Sequence, residues 1–205
     1  MTRHAQIPST TTKAVVASWA ALCATGMWQL SEHASTTGAH GRVMTRMTSD
    51  VATALHWSFD QNLLVLAAHP QCPCLAASLD ALKTVLAEQL TMAVRILIFE
   101  PSQKPPQWDQ EARDRLSKAW PDGTIIIDHG GELATKLGAT TSGHISLFQA
   151  NGGLSFAGGI TGSRGHRGDN QYLRALQQAM WSPTNEPART PVHGCPLQSP
   201  CDCLP

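Results

Sequence analysis

The chain has 205 residues, with 15 lysines plus arginines balancing 15 aspartates plus glutamates for a formal net charge of zero. Balanced charge excludes nucleic acid and strongly acidic partners as guests of bulk electrostatics, and the length allows one ordinary core of about 130 to 150 residues between two atypical ends. Of the six cysteines, Cys72, Cys74, Cys195, Cys201 and Cys203 fall in two short proline-containing segments rather than in apolar runs, which points to redox chemistry or metal binding over core filling.

Taken in chain order, residues 1–13 carry Arg3 and Lys13 and read as a cytoplasmic N-terminus. Residues 14–30 (AVVASWAALCATGMWQL) hold no formal charge. Such a run has the form of a transmembrane anchor, of a cleaved export signal, or of a buried helix; Trp28 near its outer end favours an anchor. With the positive end inside, the remainder would face the periplasm from the inner membrane, where disulfides persist. Residues 31–55, rich in Ser, Thr, Gly and Ala, read as a tether.

The folded unit is expected over residues 56–181. Asn62 to Ala68 (NLLVLAA) is a continuous apolar run of strand length, as in a strand buried on both faces. It leads into HPQCPC, after which Leu75, Leu79, Leu82, Val85, Leu86 and Leu90 recur at helical spacing. MAVRILIF is the next strand, EPSQKPPQ a loop, Trp108 to Ala119 a helix, TIIID a third strand, and GGELATKLG a short helix closed by Gly138. HISLF and LSFAGG flank the turn QANGG as a hairpin, and Asn170 to Met180 is the last helix. Residues 182–205 read as an irregular Cys/Pro-rich tail. The order is βαβαβαββα.

That order, with a cysteine motif between the first core strand and the first long helix, resembles the thioredoxin fold over roughly residues 57–181. The strings HPQCPC, TSGHISLFQANGGLSFAGGITGSRGHRGDN and PVHGCPL further resemble a group of bacterial membrane-anchored thioredoxin-like (RedB-like) proteins. The resemblance implies a three-layer α/β domain with a central mixed sheet behind an N-terminal membrane helix, and thiol chemistry on protein thiols or disulfides. Two departures stand out. Thioredoxins carry Cys-x-x-Cys, whereas one residue separates Cys72 from Cys74; and where the family has a cis-proline before the hairpin, this chain has Thr141-Ser142-Gly143-His144.

At a helix N-terminus, unpaired N–H groups and the helix dipole favour a thiolate, so at least one of Cys72 and Cys74 should be partly ionised near neutrality. A disulfide across one residue is strained and therefore oxidising. His69, three residues upstream, completes an alternative soft site for copper or zinc with the two cysteines; no cofactor is required by the exchange reading. By the fold analogy Gly143 and His144 face the same turn. In the glycine-rich loop 158–170, Arg164, His166, Arg167 and Asp169 stand before a helix N-terminus, where an anion or a partner's carboxylate would fit, or where Asp169 or Asn170 simply caps the helix. Cys195, with His193 near it, would serve as a resolving thiol if the tail folds back over the pair; Cys201 and Cys203 have the same option. Three readings follow: a thiol–disulfide exchanger using Cys72, Cys74 and Cys195; a copper or zinc assembly protein using Cys72, Cys74 and His69; and a redox-inactive interaction domain docking through the loop.

Overall fold

A computed structural model describes residues 10–39, 41–87, 92–103, 107–120, 124–184 and 186–198. The elements are α1 (Thr10–Ser35), α2 (Ser49–Ala54), β1 (Asn62–Ala68), α3 (Leu75–Leu86), β2 (Met92–Glu100), α4 (Gln110–Ala119), β3 (Thr124–His129), α5 (Glu132–Leu137), β4 (His144–Phe148), β5 (Leu154–Gly158), α6 (Gln171–Trp181) and β6 (Ala188–Arg189). The strands form one mixed sheet in the order β3-β2-β1-β4-β5-β6. β1, β2 and β3 run parallel, while β4 pairs antiparallel with both β1 and β5.

Strand periodicity makes the layers. Along β1, Leu64, Leu66 and Ala68 point to one face, where they meet α3 residues Leu75, Leu79 and Leu82 and α6 residues Leu173 and Leu176. Leu63, Val65 and Ala67 point to the other, where they meet Val51 of α2, Leu55, and Ala134 and Leu137 of α5. A strand apolar on both faces, flanked by helices on both sides, is what the uninterrupted NLLVLAA run requires. β1 is therefore central, and its C-terminal end opens into the cysteine turn.

Three sequence expectations change at the ends. Residues 31–55 are not a tether: α1 continues to Ser35, the Thr45 carbonyl accepts from Leu154 N–H, the Met47 N–H donates to Gly152 O, and Met47, Val51, Ala52 and Leu55 are buried against the sheet. The apolar residues of α2 are too few to show helical periodicity, which is why the segment reads as a linker. The tail is not loose either, since β6 pairs parallel with β5 and Val192, Cys195 and Leu197 are buried. Cys201 and Cys203 lie outside the described residues. Finally, α1 buries none of its residues in the domain, and no helix among the described residues is long and apolar enough to cross a membrane. Ala, Ser, Thr, Gly and Gln dilute the hydropathy of the uncharged run, so freedom from charge does not by itself make a span.

Candidate active site

β1 and β4 are antiparallel, so the end of β1 and the loop entering β4 lie side by side. Ala67 stands opposite His144, and the Gly143 N–H donates to Ala67 O at 2.8 Å. Gly143 has φ +91°, which favours glycine, and a Cβ there would sit 3.1 Å from Ser78 Oγ. Beyond β1 the chain turns tightly: the Cys72 N–H donates to His69 O at 3.0 Å, the Leu75 N–H to Cys72 O at 3.2 Å, and Cys74 is the residue preceding α3. The His69 N–H donates to Ser142 Oγ at 2.9 Å and fastens this turn to the β4 loop.

The tail closes the site. Thr141 bridges antiparallel to Pro196, the Ser142 N–H donates to Cys195 O at 2.8 Å, and the Leu197 N–H donates to Thr140 O at 2.9 Å. This added segment covers the loop 140–143, and it carries Cys195 to Cys72. The thiols of Cys195 and Cys74 both hydrogen-bond to Cys72, as do the Cys195 backbone and the Ser142 hydroxyl. Cys72 and Cys195 are buried, at 2% and 6% exposure, while Cys74 is half-buried and so the most accessible of the three.

Their protonation divides accordingly. Hydrogen bonds from Cys195, and then from Cys74, hold Cys72 well below the ordinary thiol range in spite of its burial. Cys74 is pushed above that range because its proton is given to Cys72, because it is partly buried, and because a charged Cys72 stands beside it; the Arg164 charge and the Gly165 N–H oppose this. The reduced site thus holds one central thiolate clasped by two thiols. We expect a thiolate absorbance near 240 nm that survives well into acid and vanishes in Cys72→Ser. The linkage has a definite sign. With its folded pKa depressed, Cys72 contributes stability present above the unfolded value of 9.0 and lost as pH falls through the folded value. Cys74, raised, contributes stability present below 9.0 and lost as pH rises. Urea midpoints of the reduced protein should therefore climb from acid toward pH 9 and decline above it. A flat profile would contradict the clasp.

Other expected residues fall into different roles. His69 is fully buried, stacked on Phe99 with centroids 5.7 Å apart and edge-on to Trp108 at 5.3 Å, and its Nδ1 accepts from the Gln71 N–H at 3.2 Å. Burial pushes its pKa down, opposed by the nearby Cys72 charge. His144 is buried at the start of β4. Among the described residues no group of three His, Cys, Asp or Glu side chains is gathered to hold a metal. In the glycine-rich loop, Arg167 pairs with Asp80 across to α3, and Asp169 pairs with Arg174 at 2.6 Å. His166 is exposed. Asn170, not Asp169, caps α6, accepting from the N–H groups of Tyr172 and Leu173 at 2.9 and 3.2 Å. The Arg164 charge opposes the rise of the Cys74 pKa, and its backbone N–H donates to Ala34 O at 2.9 Å. Sequence reading missed Ser142 and Gly165, whose contributions depend on a hydroxyl and a backbone N–H brought in by the fold.

No family model matches the chain, and no curated protein does. Solved structures do. A hypothetical protein from Sinorhizobium meliloti 1021 superposes with a TM-score of 0.56 at 18% identity, covering 80% of this chain and 94% of that one. An uncharacterized conserved protein from Geobacillus kaustophilus gives 0.56 at 11% identity over 80% and 93%. A thioredoxin-like protein from Aeropyrum pernix gives 0.47 at 14% identity over 80% and 99%. At such identities the shared property is the fold. The mixed sheet with helices on both faces fits the thioredoxin-like fold. None of these likenesses bears on the narrower RedB-like resemblance.

Proposed function

We propose that the protein is a thiol–disulfide exchanger that oxidises protein thiols, with Cys74 as the sulfur that partners reach and Cys72 as the sulfur that leaves. The observation that carries this is the clasped Cys72: the buried sulfur is the stabilised thiolate and the accessible one is not. Disulfides break toward the better leaving thiolate, and stabilising the reduced form makes the oxidised form a stronger oxidant. A partner thiolate attacks Cys74 Sγ of a Cys72–Cys74 disulfide; that S–S bond breaks, Cys72 departs as thiolate, and the partner is held on Cys74 as a mixed disulfide. A second thiolate of the partner then displaces Cys74. The partner leaves as a disulfide, the protein has gained two electrons, and a disulfide of another protein reoxidises it. Cys195 stabilises the departing Cys72 and is the second sulfur with which Cys72 can pair.

The cysteine usage suits an oxidising compartment, and we assign this chemistry to the periplasmic side of the inner membrane, with residues 14–30 as the export signal. The copper or zinc reading is not favoured, since the His69 ring is clamped between Phe99 and Trp108. One experiment tests sulfurs and compartment together. Cells expressing the full chain are treated with a membrane-impermeant maleimide, and the protein is then mapped without reductant. Expected are Cys72–Cys74 or Cys72–Cys195 disulfides, with Cys74 labelled from outside after mild reduction. Three permanently reduced thiols, or labelling only by a permeant reagent, would reject the reading.

A further inference from the structure

From His69 to Cys72 the chain has three amide hydrogens to place, those of His69, Gln71 and Cys72, since Pro70 has none. All three go through His69. Its own N–H donates to Ser142 Oγ at 2.9 Å, its carbonyl accepts from the Cys72 N–H at 3.0 Å, and its Nδ1 accepts from the Gln71 N–H at 3.2 Å. The carbonyl bond closes a β-turn with Pro70 in its second place, which the fixed proline φ suits. The Nδ1 bond adds a smaller ring inside that turn, of the kind that asparagine and aspartate side chains make with the amide two residues on.

Accepting that bond fixes the state of the imidazole. A bare Nδ1 leaves the proton on Nε2, and Nε2 is buried with no hydrogen-bond partner among the described residues. The fully buried ring stacks on Phe99 and meets Trp108 edge-on, at centroid distances of 5.7 and 5.3 Å. A buried donor without an acceptor is destabilising, and phenylalanine would fill the same aromatic niche without one. Packing therefore does not account for a histidine here, whereas the Nδ1 acceptor does.

We infer that His69 is a positioning residue of the thiol site: its Nδ1 pins the Gln71 amide, and through the turn it holds Cys72 against the β4 loop in the reduced protein. In the Cys72–Cys74 disulfide Cys72 is tied covalently to Cys74, but in the dithiol its place depends on the turn alone. The Ser142 hydroxyl, which accepts from the His69 N–H, is also a donor to Cys72, so a turn that keeps its shape keeps that donor in reach. Holding the dithiol state together makes the disulfide a stronger oxidant.

The redox consequence rests on the exchange reading, and the test separates the two. The full chain is equilibrated with reduced and oxidised glutathione: two glutathione thiols give two electrons to the Cys72–Cys74 disulfide, leaving two reduced cysteines and oxidised glutathione. The remaining Cys72–Cys74 disulfide is quantified by mass mapping, and the 240 nm thiolate absorbance of the reduced protein is titrated separately. His69→Phe keeps a ring beside Phe99 and Trp108 and loses the acceptor; His69→Asn loses the ring and keeps an acceptor for the Gln71 N–H. Expected for His69→Phe is a shift of the glutathione equilibrium of about fivefold or more toward the disulfide, about 20 mV for two electrons, with a 240 nm titration moved to higher pH. His69→Asn should match the wild type in both readouts in spite of a lower Tm. A folded His69→Phe protein with wild-type readouts refutes the role, and so does a folded His69→Asn protein displaced from wild type in both. Either variant decides by itself, so loss of one to misfolding leaves the other. If the wild-type disulfide does not exchange with glutathione, the exchange reading fails, while the 240 nm comparison still judges His69.

Discussion

Replacing Cys72 by serine is expected to lower dithiol oxidation by more than about a hundredfold, because a hydroxyl supplies neither a disulfide partner for Cys74 nor a leaving thiolate. The same change should make Cys74 more reactive toward iodoacetamide at neutral pH. What raises the Cys74 pKa is first its hydrogen bond to Cys72, then burial, then the Cys72 charge. Serine removes the charge, leaving burial opposed by Arg164 and the Gly165 N–H. Cys74→Ser should behave in the opposite way. It should keep the 240 nm thiolate, since Cys195 and Ser142 still donate to Cys72, yet lose the half-buried sulfur that a partner attacks. Turnover assays and alkylation rates on both variants decide the matter. A Cys72→Ser protein that still turns over, or a Cys74 no more reactive than in wild type, would remove Cys72 from the centre of the site.

The central elements were legible because their physics is local. NLLVLAA is apolar at every position except its first, as a central strand must be, and the heptad-like leucines after Cys74 mark α3 whatever surrounds it. QANGG carries its turn in the sequence: Gly152 has φ +83° and the Gln149 N–H donates to Gly153 O. The expectation for Cys195 depended on whether the tail folds back, and nothing local encodes that. Thr141↔Pro196 and Ser142-to-Cys195 pairing joins residues more than fifty positions apart, through a strand too short and proline-flanked to show alternation. The partners of the loop charges are hidden for a related reason. Arg167 and Asp169 stand close together in sequence, but α3 supplies Asp80 to the first and α6 supplies Arg174 to the second.

If the tail strand is what brings Cys195 onto Cys72, then the position that lets the tail lie so close should matter as much as the sulfurs. That position is Gly194, where a Cβ would fall 2.0 Å from Ser142 O and 3.1 Å from Ser142 C. The obstacle is backbone, so no rotamer relieves it. Gly194→Ala must push the tail away from the β4 loop, stretching the bonds from Ser142 N–H to Cys195 O and from Leu197 N–H to Thr140 O. Overpacking of this kind costs about 1–3 kcal/mol, which for a domain of this size is a fall in Tm of about 2–4 °C per kcal/mol. The sharper consequence is chemical: Cys72 loses the Cys195 donor, so its thiolate should titrate closer to an ordinary thiol, and dithiol oxidation should slow as the leaving group worsens. Gly26→Ala is the matched control, since nothing lies within 4 Å of the added Cβ and the helix tolerates it. A Gly194→Ala protein with a lower Tm but an unchanged 240 nm titration would mean that Ser142 and Cys74 suffice to hold the thiolate. Cys195 would then be a packing residue of the tail. A titration that moves upward together with Tm ties the thiol chemistry to the closure of the tail strand over the cysteine turn.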